Sequence, residues 1–366
     1  MSGFTPRALL DPDAFRHNLA QVRRYAPTSR VWAVIKANAY GHGAEWAAAV
    51  LNAAEGFAVA RTDEGARLRR AGASRPILVL EGPVDTDELE AAVELDLTLA
   101  LHRWGQVELL PAVVRGRLPK VWIKVDTGMH RLGFPPERVP AVLDHLIGSG
   151  VPIAGLLTHL ANADVPEDPR SAEQCEQLRR LAGAARWPLS IGNSAGLIAV
   201  PAARSDWVRP GIMLYGVSPF ATGTGADLGL VPVMTLQGRL IAIQQLRRGA
   251  AVGYGGTYIC PEDMPVGVVN VGYGDGYPRH AVPGTPVLIA GRRVPLIGRV
   301  SMDMIHVDLR PCPQAAVGEL ATLWGSGLPV EEVAACAGTI PYELLCRVAP
   351  RVRLEVRSSG PAPSAP

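Results

Sequence analysis

Between residues 31 and 215, short apolar runs alternate with stretches of helical periodicity, and this alternation restricts the fold more than any other feature of the chain. The runs fall at 31–35, 57–60, 77–80, 97–101, 120–125, 153–158, 188–191 and 212–215. Helical patterns follow most of them, as at 61–71, 104–115, 136–147 and 171–185. Repeated strand–helix units place neighbouring strands parallel, and eight strands suit a closed (β/α)8 barrel. Spacing alone leaves an open doubly wound sheet as the alternative. Past about residue 230 the pattern becomes short β-rich runs broken by glycine, at 235–246, 251–258, 266–273, 286–290, 293–300 and 304–309. Helical patches return only near 330–337 and 341–347. The expected fold is therefore α/β: an N-terminal TIM-like barrel over 1–230, a mostly β C-terminal domain over 231–356, and a disordered tail at 357–366.

Composition removes several classes of function. Of 366 residues, 36 are basic and 34 acidic, and they are spread along the chain. No basic stripe with interleaved aromatics points to nucleic acid. No apolar run reaches the length of a membrane span, and the N-terminus has no apolar signal core. The five cysteines (175, 260, 312, 336, 346) are scattered, odd in number and free of CxxC spacing. That pattern suits reduced thiols in a cytoplasmic protein and predicts no metal site.

The chemistry gathers where strands end. The run Val31–Ile35 closes on Lys36 and is followed by a small-residue turn with Asn38, Tyr40, Gly41, His42 and Gly43. A lysine ending an apolar strand is costly to bury unless it is paired or covalently used, and lysines so placed often form Schiff bases. The plainer reading is a lysine that snorkels out of a strand end. Later strand ends carry Lys124 and Asp126, with Arg131 just beyond, then His159, then Asn193 and Ser194 in a Gly/Ser turn, then Arg209 with Gly211 and Ile212. Barrel active sites lie at the C-terminal ends of the strands, often with phosphate after strands 7 and 8. Taken together these residues describe a phosphorylated ligand beside a Schiff-base lysine. Pyridoxal phosphate fits that description, and so does a sugar phosphate on an aldolase.

The ordered set of motifs goes further. It comprises AVIKANAYGHG (33–43), KVDTGMHRLG (124–133), THLANAD (158–164), GNSAG (192–196), VRPGIMLYG (208–216), VGYGGTY (252–258), VGYGDGYPR (271–279), GRVSMDM (298–304) and PYELLC (341–346). In these motifs, from about Ala8 to Val356, the sequence resembles the alanine racemases, pyridoxal-phosphate isomerases that interconvert L- and D-alanine. The resemblance implies a cofactor-binding barrel followed by a β-domain, used as a homodimer with shared active sites, and D-alanine supplied to cell-wall peptidoglycan.

Residue by residue, the resemblance implies that Lys36 carries the cofactor and acts as one proton-transfer base. Tyr254, from the partner, is the other base. Tyr40, Ser194, Gly211, Ile212 and Tyr342 hold the phosphate, Arg209 meets the pyridine nitrogen, and His159 lies at the cofactor. Arg131 and the backbone of Met302 bind the substrate carboxylate. Lys124 matches a position often carbamylated in the family, and Asp303 and Tyr273 support the site. Tyr273, Asp164, Arg279, Arg299 and Ile340 fall where the family builds its access corridor. The bulk of Tyr342, Tyr273 and Met302 implies a small substrate. One departure is Ser190, which stands where several relatives carry a histidine against the cofactor ring; Ser301 is also variable.

Four rivals share parts of this pattern, the subtlest being a racemase of broader specificity, a type often exported, for which no signal is visible here. A decarboxylase of basic amino acids needs an acid where Arg209 stands. A non-catalytic cofactor carrier lacks the β-domain, and an aldolase has no use for Arg209 at a ring nitrogen.

Overall fold

The structure is a computed structural model that describes residues 5–110, 118–183 and 187–357. The C-terminal parts of the helical patterns expected at 104–115 and 171–185, and the tail beyond Arg357, lie outside the described residues. Two compact units are formed. The first strand, β1 (Arg7–Leu10), belongs to one of them, and the next eight strands belong to the other.

The barrel unit spans Arg16–Leu214 with Pro219–Thr222. Its strands are β2 (Arg30–Val34), β3 (Gly56–Val59), β4 (Ile77–Val79), β5 (Thr98–Leu101), β6 (Val121–Lys124), β7 (Ile153–Leu157), β8 (Leu189–Ser190) and β9 (Trp207–Val208). They close in chain order, all parallel, with Arg30 opposite Trp207 and Val31 opposite Val208 at the seam. Buried on both faces, the strands read as continuous apolar runs rather than alternating ones. The expected eighth strand at 212–215 is not a strand. Pro210 and Gly211 break the backbone first: Val34 N–H still donates to the Pro210 carbonyl, and Ile212–Tyr215 then turns as one short 3-10 helix. The closing strand is Trp207–Val208, too short to leave a periodic signal.

The N-terminal end of the barrel is plugged by indoles. Trp32 stacks on Trp207 at 4.3 Å, and Trp122 meets Trp207 edge-on at 6.4 Å. Two glycines make room for them. A Cβ on Gly56 would lie 2.2 Å from Trp32, and one on Gly155 would lie 2.6 Å from Trp122.

Among the described residues, the second unit holds 5–15, Tyr215–Ser218 and 223–357. Its strands after β1 are β10 (Met234–Leu246), the short ribbon β11 (Ala251–Val252) and β12 (Tyr258–Ile259), then β13 (Met264–Val269), β14 (Pro286–Ile289), β15 (Arg292–Ile297), β16 (Ile305–Asp308), β17 (Leu320–Trp324) and β18 (Arg353–Val356). The long β10 pairs with β17 through Leu236–Arg239 and with β13 through Leu240–Leu246, so the ladder β10-β13-β16-β15-β14-β17 runs full circle. Strand β1 lies between β10, antiparallel, and β18, parallel. The first residues of the chain therefore pack with the β-rich unit, whereas a boundary at 230 assigns them to the barrel. Helices Val330–Cys336 and Pro341–Cys346 complete the unit.

A Cβ at Gly56 would overlap the Trp32 ring, so Gly56→Ala should destabilise the fold by about 1–3 kcal/mol, the usual cost of overpacking. Gly148→Ala, on a helix where no atom lies within 4 Å of the new Cβ, should be neutral or mildly stabilising. Urea denaturation midpoints of the two variants check the contrast.

Candidate active site

Lys36 follows β2 by one residue and begins an unusual turn. Ala37, Asn38, Ala39 and Tyr40 have φ of 52°, 54°, 53° and 48°, four consecutive residues in the left-handed region. L-residues enter that region at about 1–2 kcal/mol each, so the turn exists only because its surroundings hold it. The Ala37 N–H donates to Glu64 Oε1 at 2.6 Å, and the Ala44 N–H to Asn38 Oδ1 at 3.1 Å. Arg67 bonds the same Asn38 oxygen at 3.0 Å and grips Glu45 through two nitrogens, at 2.7 and 2.8 Å. The buried His42 ring bonds the Ala39 and Tyr40 carbonyls through Nδ1 at 3.0 and 2.9 Å, and burial lowers its pKa to about 4. A neutral ring with the proton on Nδ1 satisfies both contacts.

The turn brings Tyr40 to the loop that follows β9, the strand beside β2 at the seam. A Cβ on Gly211 would lie 2.6 Å from the Tyr40 hydroxyl, so only glycine admits the phenol there. Gly211 N–H donates to Ser194 Oγ at 2.9 Å, and Met213 N–H approaches the same oxygen at 3.4 Å. With its lone pairs so engaged, the Ser194 hydroxyl has its proton left to donate. Asn193 shapes the serine turn by accepting the Gly196 N–H at 2.8 Å. Ile212, in the adjoining 3-10 turn, is buried. Tyr40, Ser194, Gly211 and Ile212 are thus brought together.

Arg209 is buried, and its two terminal nitrogens are fully engaged. Nη1 donates to the Ser190 carbonyl and Ser190 Oγ, both at 2.7 Å, while Nη2 donates to the carbonyls of Thr158 and of Ile191, the latter at 3.1 Å. Among the described residues no acceptor takes up its Nε–H, which remains for a ligand. Ser190, the residue at the variable position, is thus a structural partner of this arginine. Burial lowers the Arg209 pKa to about 10, so the guanidinium stays charged at neutral pH.

Lys124 ends β6 and is buried. Burial first, then the charges of Arg209, Arg131 and Lys36 against the single opposing charge of Asp126, lower its pKa to about 7. His159 is pushed well below the ordinary histidine value by burial and by the same cations. Arg131 is exposed at the end of a turn shaped by Asp126, whose Oδ1 accepts the N–H groups of Gly128, Met129 and His130 at 3.0–3.1 Å.

Sequence reasoning missed the layer beneath. The Thr158 hydroxyl donates to the Val125 carbonyl at 2.9 Å and bonds Thr127 Oγ1 at 2.7 Å. Gln174, from the helix Arg170–Ala182, donates to Thr127 Oγ1 and to the His159 carbonyl, each at 3.1 Å. The loops carrying Arg131 and His159 are pinned together from behind.

The remaining candidates lie in the β-rich unit. Tyr254 stands in a turn of positive-φ glycines (Gly253, Gly255, Gly256) and is 70% exposed. Met302, 54% exposed, lends its carbonyl to the Gly274 N–H at 2.8 Å. Tyr273 N–H donates to the Ser301 carbonyl at 3.1 Å. Arg351 clamps the assembly, bonding Asp275 and Asp303 at 2.8 Å each. Tyr273, Met302 and Asp303 are thus one network. Tyr342 lies half-buried on the helix Pro341–Cys346.

A closed parallel barrel, with an ionisable lysine ending its first strand and a surplus of cations at its mouth, defines a class of enzyme that works on anionic ligands. The comparisons narrow that class. The N-terminal domain of alanine racemase matches residues 10–219, and the C-terminal domain matches residues 233–356. An alanine racemase of Nitrosococcus oceani is 53% identical over 95% of this chain and 98% of its own length. That of Halorhodospira halophila is 50% identical over 95% and 97%. The crystal structure of the biosynthetic alanine racemase of Pseudomonas aeruginosa, 44% identical, covers 97% of this chain and 100% of its own with a TM-score of 0.93. The chain belongs to the alanine racemase family.

The lowered pKa of Lys124 makes folding pH-dependent. Between about 7 and its ordinary 10.5 the unfolded chain binds a proton that the folded chain does not, so this lysine makes stability rise with pH across that window. Lys124→Met should flatten the rise, as chemical denaturation at pH 7, 8.5 and 10 will test.

Proposed function

We propose that the protein interconverts L- and D-alanine with pyridoxal 5'-phosphate bound at the barrel mouth, and that the D-alanine serves peptidoglycan synthesis. The observation that carries this reading is Arg209, whose only uncommitted donor is Nε–H. A ring nitrogen meets a permanent cation there, where a decarboxylase of this architecture would need an acid.

The residues fit the cofactor. Three cations act on Lys124 against one carboxylate, so the mouth is short of negative charge, and a phosphate would supply it. The cradle of Tyr40, Ser194, Gly211 and Ile212 offers a phenol, a hydroxyl proton and a surface that any Cβ at 211 would obstruct. Tyr342 is assigned to the same phosphate from the family motif.

When bound, pyridoxal phosphate draws electrons from the substrate Cα and so acidifies its proton. The remaining tasks fall to the protein. Lys36 Nζ accepts or returns the proton on one face of Cα. The hydroxyl of Tyr254 of the partner subunit does so on the other face, and the net reaction moves one proton off and one on. Arg131 and the Met302 backbone of the partner subunit hold the carboxylate, which keeps Cα between the two bases. Arg209, with a pKa of about 10, would hold the ring nitrogen through a hydrogen bond and keep its own proton, which would favour return of the substrate's proton to Cα. Lys124 is neutral above pH 7, as reaction with carbon dioxide requires: the amine gains a carboxylate and releases one proton. The resulting anion would orient Arg131. The bulk of Tyr273 and Met302 favours a side chain as small as alanine's.

The working unit in this reading is a homodimer, supported by the exposure of Tyr254, Met302 and Ile340 at 70%, 54% and 59%. None of the five cysteines is in a disulfide and three are buried, as suits the cytoplasm where we place the reaction. Among the described residues no helix is long and apolar enough to cross a membrane.

Proton NMR of L-alanine in D₂O with the cofactor-loaded protein, followed by chiral analysis, tests the proposal. Loss of the Cα signal with appearance of D-alanine is expected, and no exchange would overturn the assignment. Tyr254→Phe should lower racemisation by about 10²–10⁴-fold, the usual worth of one acid–base group, while exchange with retention continues through Lys36. Lys36→Ala should abolish both. Full activity in a monomer would remove the shared site.

A further inference from the structure

Glu64 occupies the third position of the helix Thr62–Arg70, where a glutamate ordinarily reaches back to cap its own helix. Its Oε2 does so, accepting the N–H groups of Ala60 at 2.7 Å and Arg61 at 3.3 Å. Its Oε1 leaves the helix and accepts the Ala37 N–H at 2.6 Å. Ala37 directly follows Lys36 and begins the left-handed turn. The hydrogen bonds that the turn makes within its own backbone begin only at Ala39, whose N–H donates to the Ile35 carbonyl. Among the described residues, Glu64 is the acceptor that the Ala37 N–H finds. One carboxylate therefore joins the cap of the helix after β3 to the turn after β2, and the sequence places no cofactor motif at position 64.

We propose that Glu64 is a positioning residue: it holds Ala37–Tyr40 in the left-handed conformation that aims Lys36 and seats the Tyr40 hydroxyl over Gly211. The argument rests on the roles proposed above for Lys36 and Tyr40. The chemistry requires a carboxylate. An amide at position 64 has one acceptor and one donor, so whichever way it turns, an NH₂ faces either Ala37 N–H or the Ala60–Arg61 pair. Arg67, one turn further along the same helix, also bonds Asn38 of the turn, so loss of one Glu64 bond should loosen it without unfolding the barrel.

The test compares Glu64→Gln with Asp85→Ala. Asp85 caps the helix Thr86–Glu94 by accepting the Glu88 N–H at 2.9 Å, touches none of the residues named here, and serves as an ordinary cap. For both variants and the parent protein, three quantities are measured: the dissociation constant of pyridoxal 5'-phosphate from the apoprotein, hydrogen exchange of the peptide spanning 36–43, and Tm. Glu64→Gln should weaken cofactor binding roughly tenfold, about the worth of one hydrogen bond to a charged group, and should speed exchange over 36–43. Asp85→Ala should lower Tm and change neither. Unchanged binding and exchange in Glu64→Gln would overturn the proposal, and so would equal weakening in Asp85→Ala. Should Glu64→Gln not fold, Glu64→Asp, with both acceptors on a shorter arm, carries the same comparison, and parent-like binding and exchange in it would overturn the proposal. Failure of the parent protein to bind the cofactor would overturn the functional reading instead, while exchange over 36–43 would still report on the clamp.

Discussion

Repulsion among like charges governs the barrel mouth. Lys36, Lys124, Arg131 and Arg209 act together on His159, and at Lys124 the Asp126 carboxylate opposes the other three. Both arginines of this group keep their charge, but Arg131 is exposed whereas Arg209 is buried, so the fold must solvate Arg209. Carbonyls at the C-terminal ends of the barrel strands and in the loops after them can turn to a side chain at the mouth, even where, as at Ser190, they also accept a backbone N–H. Those of Thr158, Ser190 and Ile191, with the Ser190 hydroxyl, do the solvating. Removing a buried charge from such a shell costs several kcal/mol, because the partners are stranded as well. The arginine and the ends of β7 and β8 are therefore mutually dependent. The cost of charging falls on the groups that can respond: the lysine drops toward neutrality and the histidine stays uncharged.

Much of this was legible from residue order alone. A polar residue that ends an apolar run is conspicuous, and Lys36, Lys124 and His159 stand out that way, whereas Arg209 was placed with the last strand region by its VRPGI context, ahead of the run at 212–215. Longer barrel strands announce themselves because burial on both faces demands unbroken apolar sequence. The seam was misplaced because Trp207–Val208 is two residues long and beside polar Asp206, whereas Ile212–Tyr215 is apolar for burial in a turn. Strand β1 was invisible as a member of the second sheet, since its partners lie more than two hundred residues away and a four-residue run carries no record of them. Strand β17 (LATLW) was passed over, and β18 (RLEV) is mostly exposed and polar.

The supporting layer was illegible for a different reason. Gln174 lies in the run EQCEQLRR and Glu64 in RTDEGARLRR, where charged and amide residues normally mean a solvated helix face. Their roles depend on tertiary neighbours, a threonine pair in one case and a strained turn in the other. Local pattern cannot separate a glutamine that faces water from one that faces a buried Thr127. Ser190 shows the converse. Read against relatives it marks a missing histidine, yet in the structure it is a buried acceptor for the arginine.

The two proposed bases differ in how the chain holds them, and the difference has a physical source. Lys36 is fixed by a strand behind it and a braced turn after it, because an ammonium that must lose and regain protons has to stay within reach of one point. Tyr254 is set between three positive-φ glycines on an exposed surface, with the Arg299 guanidinium close to Gly255. A phenol becomes a useful base only where cations stabilise its anion and water is excluded. Its own surface leaves it wet. The barrel mouth has cations in excess. Bringing that mouth and the exposed tyrosine together in a dimer would complement both, joining a charge surplus that lacks a second base to a base that lacks charge. A lysine on its own half-site can labilise a proton, whereas inversion needs both halves, so in this arrangement assembly of the dimer would itself switch on racemisation.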